Sequence, residues 1–249
     1  MGQTVMLSRS TPTALVSVPS GGLVDGEWRI ESGYNRLFDM AEFDEFFVAG
    51  AYRYHPVTAA FGLSKFGKSD FYSELRGKFS LAGHYRQFAA GLNVSGLLVQ
   101  FGRGYGDVSQ VTMGAGLSVR TKRFFASITG DNLTSPKLYD NAVAYDSYYS
   151  LYTEVIGKQS FSINGLIRLE GGEKPQFGLG QKIFIARQAA IFWGISTNPT
   201  QYGSGLELQY EGGSISYAFS NHPVLGISHT IAVSYGGGGP RARGDNDFK

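Results

Sequence analysis

Apolar and polar residues trade places at every second position through most of this chain. A period of two fits β-strands lying between two different environments, and it fits no helix. From Ser160 to Leu169 the odd positions read Phe, Ile, Gly, Ile, Leu and the even ones Ser, Ser, Asn, Leu, Arg. Phe177, Leu179, Ile183 and Ile185 likewise oppose Gly178, Gly180 and Lys182, and Leu206, Leu208 and Tyr210 oppose Glu207, Gln209 and Glu211. The split recurs at Ile215, Tyr217, Phe219 and at Ile227, Ile231, Val233, Tyr235. The N-terminal half follows suit, with Trp28, Ile30, Tyr34 against Arg29, Glu31, Asn35, and Phe71, Leu75, Phe79, Leu81 against Glu74, Arg76, Lys78. Val111 to Val119 then opposes Thr112, Gly114, Gly116, Ser118 and Arg120. About fourteen such segments begin near Glu27, Glu45, Val57, Phe71, Gln87, Ser109, Phe124, Ser147, Ser160, Gln176, Gln188, Gly203, Ser214 and Ile227.

The connections carry a second periodicity. After even-numbered segments they are minimal: His55-Pro56, Tyr85-Arg86, Thr121-Lys122-Arg123, Gly157-Lys158-Gln159, Ala186-Arg187 and Glu211-Gly212-Gly213. After odd-numbered ones they are mostly longer: Leu37 to Asp44, Gly102 to Val108, Asn132 to Asp146, Glu170 to Pro175, Thr197 to Tyr202 and Asn221 to Gly226, with only Gly67 to Asp70 brief. Short turns at one end and long loops at the other mark transmembrane up-and-down barrels, and an even strand count puts both termini at the turn end, on the periplasmic side.

Composition removes the competing classes. The 35 glycines and 33 tyrosines and phenylalanines favour short strands and tight turns. A net charge of +2 without a basic cluster leaves no nucleic-acid footprint. No cysteine is present, and the longest apolar stretch, Phe88 to Phe101, is broken by Gly91, Asn93, Ser95 and Gly96, so no spanning helix is expected. Met1 to Thr4 lacks the marks of an export signal, which is expected to be removed or absent.

The environment of the oily face decides between a soluble sandwich and a membrane barrel. A closed barrel of about fourteen strands is too wide for side chains alone to fill, and the wet face carries Arg29, Glu31, Glu74, Arg76, Arg120, Glu154, Arg168, Lys182 and Glu207. These are the expected lumen-lining residues. The oily face then looks outward, over more apolar area than a soluble monomer tolerates, and lipid is its expected partner. The expected fold is an all-β transmembrane antiparallel up-and-down barrel over 25–235, with an N-terminal extension or partial plug over 1–24 and a Gly-rich periplasmic tail over 236–249.

Two motifs carry a resemblance: the mid-chain Ala126-Ser127-Ile128-Thr129-Gly130-Asp131-Asn132-Leu133-Thr134-Ser135-Pro136, and the closing His222-Pro223-Val224-Leu225-Gly226-Ile227-Ser228-His229-Thr230-Ile231. With the strand count, they make the chain resemble the FadL-like outer-membrane transporters and their relatives PorV and PorQ of type IX secretion. Gly114 to Leu117 and Phe124 to Ser127 are also similar to PorP/SprF-type proteins. The resemblance implies residence in the bacterial outer membrane and passage or holding of a hydrophobic small molecule. The chain departs from the transporters at Leu15 to Val24, where no Asn-Pro-Ala hatch stands.

Tyr72, Phe101, Tyr148, Tyr152 and Phe192 are the candidates for an apolar ligand site inside the lumen. The alternative is a secretion-associated barrel docking other envelope proteins through its loops and tail; a lipid-modifying enzyme is a distant third. His55, His84, His222 and His229 have no metal-ligand spacing, and Ser228 and His229, as strand neighbours, point to opposite faces. Gly102 to Gly106 lacks the Lys and Ser/Thr of a phosphate loop, so no cofactor is expected. Asn132 to Asp146, with Pro136, Tyr139 and Tyr145, is long enough to serve as a lid or dock.

Overall fold

The computed structural model describes residues 27–68, 72–102, 107–134, 147–157 and 161–237. The expected N-terminal plug, most of the Gly-rich tail and nearly all of the long Asn132 to Asp146 connection lie outside the described residues.

Each alternating segment forms a strand: β1 Trp28–Arg36, β2 Asp44–Tyr54, β3 Val57–Lys68, β4 Tyr72–Tyr85, β5 Phe88–Phe101, β6 Asp107–Arg120 and β7 Phe124–Asp131. The second half adds β8 Tyr148–Ile156, β9 Phe161–Glu170, β10 Gln176–Ala186, β11 Ala189–Ser196, β12 Gln201–Tyr210, β13 Gly213–His222 and β14 Gly226–Gly237. Every strand pairs antiparallel with its sequence neighbours, and β1 pairs with β14 from Trp28↔Gly237 to Arg36↔His229, closing the ring. Closure supplies hydrogen-bond partners to the two strands that would otherwise be edges. The strands run to Gly237, two residues past the expected end. The loop-end connection after β13 is only Pro223–Leu225, shorter than expected, because His222 stays in register with Gly226 and its Nδ1 accepts from the N–H groups of Val224 and Leu225 at 3.2 and 3.1 Å.

Hydrogen bonds that skip a strand identify the inner face, since side chains converge only on the concave side of a closed sheet. Lys78 on β4 donates to Asp131 on β7 at 2.6 Å, Asn93 on β5 donates to the same carboxylate at 3.2 Å, and Lys182 on β10 donates to Glu207 on β12 at 2.9 Å. Counting by twos from these positions gives each strand an inner row of mostly polar or small residues. The opposite row is apolar and exposed: Leu92 is 68% accessible and Val111 64%.

On this outer row the charged side chains of the described strands are Arg36, Asp44, Lys65 and Asp107, all in the loop-end half. At the turn end the row finishes in aromatic residues, among them Trp28, Tyr54, Tyr85, Phe88, Tyr210 and Tyr235. An apolar belt with aromatic residues at its border is the pattern a bilayer requires of a barrel.

The wall is uneven. β4, β5 and β6 have 14 residues each, whereas β7 has 8 and meets β6 only from Ala115↔Gly130 to Arg120↔Phe125. The loop-end part of β4 to β6 therefore stands beyond the point where β7 leaves the sheet.

Candidate functional site: the loop-end mouth and the inner wall

All nine expected lumen-lining charges lie on the inner rows, and the structure groups most of them. Glu74, 5% exposed, accepts hydrogen bonds from Tyr72 and Arg76 on its own strand. Lys182 pairs with Glu207, stands 5.1 Å from the Phe184 ring centre, and Glu207 also accepts from Gln209. Arg168 lies 4.0 Å over the Tyr148 ring and 3.6 Å from Glu170. Arg29 pairs with Glu27 at 3.1 Å. Glu31, Glu154 and Arg120 occupy inner positions in the turn-end half, with Arg120↔Phe125↔Glu154 in one cross-strand row. Opposite charges in contact keep the wall polar while cancelling most of its field.

Of the five aromatic candidates, ring contacts join only two. Tyr72 and Phe101 are register partners whose rings meet edge to face at 5.5 Å. Tyr148 is engaged by Arg168, Tyr152 packs on buried Phe125 at 6.0 Å, and Phe192 lies over Gly205, where a Cβ would collide with its ring.

Sequence reasoning missed most of what surrounds Tyr72 and Phe101. Buried Phe66 contacts Tyr72 at 6.3 Å and stacks on Phe43 at 5.9 Å and 5°. Phe43 meets Phe38 at 6.3 Å, and Phe38 meets the His222 ring at 5.8 Å. The six rings form a continuous arc from β13 to β5 around the loop-end mouth. Phe38 and Phe43 come from two short 3-10 turns, Leu37–Asp39 and Ala41–Phe43, in the β1–β2 connection. Phe38 has φ of 57°, a left-handed conformation unusual for a bulky residue. Its N–H donates to Ser228 Oγ at 3.0 Å, and its ring is held between Phe43 and His222, so several contacts enforce the strained backbone. Only the inner parity of Phe66 was readable in the sequence; the placement of Phe38 depends on that backbone turn.

Below the arc, Asn93 lies over Gly114 to reach Asp131; a Cβ at Gly114 would stand 2.7 Å from Asn93 Nδ2. Asn93, part of an apparent glycosylation sequon, is thus a buried inner-wall residue. Ser228 and His229 do point to opposite faces: Ser228 bonds Phe38, and His229 bonds the Tyr217 hydroxyl at 2.8 Å on the outside. Among the described residues no group of three His, Cys, Asp or Glu is placed to hold a metal.

A closed fourteen-strand up-and-down barrel with an apolar exterior, a charge-paired interior and an aromatic mouth defines a β-barrel of the transmembrane type. Solved structures share the fold. The toluene transporter TodX of Pseudomonas putida superposes with a TM-score of 0.60 at 9% identity over 91% of each chain. The monoaromatic hydrocarbon channel CymD gives 0.60 at 11% identity over 92% of this chain and 91% of its own. Omp33 of Acinetobacter baumannii gives 0.54 at 8% identity over 85% and 97%. No family model matches the sequence, and no curated protein does. TodX and CymD are FadL-family channels, so the resemblance read from the sequence is met at the level of fold; the PorV, PorQ and PorP/SprF names find no support.

Proposed function

We propose that the chain is a bacterial outer-membrane barrel that takes up or holds a small hydrophobic molecule at its loop-end mouth. The observation that carries this reading is the aromatic arc from His222 to Phe101, which runs around the loop-end mouth and ends on the projecting wall at Tyr72 and Phe101. Six adjoining rings offer an apolar solute a surface on which it gains the area they remove from water. The apolar outer belt supports lipid as the partner of the outer face, and the hydrocarbon channels of like fold support the same class of solute. Docking to type IX secretion partners draws no support from the comparisons.

The test uses the purified full chain in nanodiscs and in proteoliposomes. It should bind toluene by saturation-transfer NMR, and Tyr72→Ala/Phe101→Ala should weaken that binding severalfold while heat-modifiable mobility is kept. Swelling of the proteoliposomes in small sugars at porin rates, without toluene binding, would overturn the reading.

A further inference from the structure

Arg86 in the β4–β5 turn and Lys122 and Arg123 in the β6–β7 turn are exposed, and among the described residues no side chain forms a hydrogen bond or an ion pair with any of them. The two turns adjoin, because β5 pairs with β6 from Phe88↔Val119 and the Arg120 N–H donates to the Gln87 carbonyl at 2.8 Å. Glu154, in the cross-strand row of Arg120 and Phe125, is buried on the inner side. Like charges gathered on one side of a wall repel, and an anion between them is favoured. Arg86 leans outward: its guanidinium lies 5.4 Å from the ring centre of Tyr85, an outer-row residue 70% exposed. Tyr85 is the register partner of exposed Phe88, and exposed Phe124 begins β7 on the same outer face. These rings border the apolar belt, and the cations stand one or two residues beyond them, roughly 3 to 7 Å further out. Headgroups occupy that depth of a bilayer.

Resting on the outer face meeting lipid, and not on the solute at the mouth, we infer that these two turns bind the headgroup of an anionic glycerophospholipid, such as phosphatidylglycerol, in the leaflet that the turn end meets. A guanidinium can keep its face on a ring while its edge gives a phosphate two parallel N–H bonds, and an ammonium adds a point charge. The acyl chains lie along the apolar outer row that starts at Tyr85, Phe88 and Phe124. Phosphatidylcholine offers the same chains and phosphate, but its own cation would meet the three already there.

Dioleoylphosphatidylglycerol and dioleoylphosphatidylcholine share their chains and differ in headgroup charge. The test offers both at equal concentration to the full chain in a neutral detergent and counts bound lipid by native mass spectrometry. The first phosphatidylglycerol is expected to be held about tenfold more tightly than phosphatidylcholine. Arg86→Gln/Lys122→Gln/Arg123→Gln should remove that preference, and Arg86→Gln alone should lower it severalfold, with phosphatidylcholine adducts and heat-modifiable mobility kept. Arg187→Gln, on the β10–β11 turn, should leave it unchanged. Equal binding of the two lipids by the wild type, a preference that the folded variants keep or that Arg187→Gln lowers as much, displacement of the lipid by an equal concentration of glycerol 3-phosphate, or tighter binding of lipid A overturns the headgroup site and leaves the lipid-facing belt standing. If the folded wild type takes neither lipid, the belt reading fails as well.

Discussion

Replacing Asp131 by Leu should expose how strongly the interior holds the barrel together. Its carboxylate, with the side chain 5% exposed, takes both the Lys78 ammonium at 2.6 Å and the Asn93 amide at 3.2 Å. Removing it strands two donors, Lys78 reaching across β5 and β6 and Asn93 across β6. Breaking a buried pair from one side costs about 3–5 kcal/mol, because the surviving charge stays desolvated. Lys78 keeps 18% exposure and can turn partly toward lumen water, so we expect the lower end, about 3 kcal/mol. Lys78→Met should cost a similar amount, since Asp131 is then the stranded charge. The double variant Lys78→Met/Asp131→Leu strands no charge and should lie within about 1 kcal/mol of wild type. Urea titration in phosphatidylcholine vesicles, followed by the fluorescence of Trp28 and Trp193, measures all four corners of the cycle. Single losses that add within about 0.5 kcal/mol would show that the two side chains do not interact. The assignment of these rows to the concave face would then fall.

Four further expectations bear on the same architecture. Ile215→Arg should impair insertion or stability by about 2–4 kcal/mol if it lies near the bilayer midplane, and the neighbouring Ser216→Arg on the inner row much less; equal tolerance in a vesicle-folding assay would refute the facing. Gly114→Ala should lower the urea midpoint by the equivalent of about 1–3 kcal/mol because its Cβ meets Asn93 and the Gly130 carbonyl. Gly96→Ala, with nothing within 4 Å of the new atom, should be neutral or stabilise by up to about 1 kcal/mol in the same titration. Exchanging the charges in Lys182→Glu/Glu207→Lys should recover most of the loss of either single reversal, and a double variant no better than the singles would deny the contact across β11.

The strands and their facing were legible because alternation along a strand is a local property that a barrel leaves unchanged. The segment beginning near Ser160 became β9 from Phe161, and the one beginning near Ser147 became β8 from Tyr148. Inner parity also placed Arg76, Lys182 and Glu207 on the wet row. Their partners were not legible, because which inner rows converge depends on register accumulated from strand to strand. Asp131 read as part of a motif and Asn93 as a break in an apolar stretch, yet both belong to one bridge with Lys78. Phe38 was beyond reach, since its inward turn rests on a left-handed backbone that no alternation signals.

Closure by the first and last strands also constrains how the molecule can come into being. The pairing of Trp28 with Gly237 joins residues near opposite ends of the described chain, so the ring cannot shut until β14 has been delivered, and its loop-closure cost falls late. Until then β1 and whichever strand was formed last remain open edges, a hazard in water and in lipid alike. Yet the seam uses the same antiparallel ladder as every other pair in the circle. Cutting at Thr121–Arg123 and linking the old ends at the turn side would move the seam between β6 and β7 without removing a rung. The order of assembly is therefore written in where the chain happens to start, while the finished wall has no privileged joint.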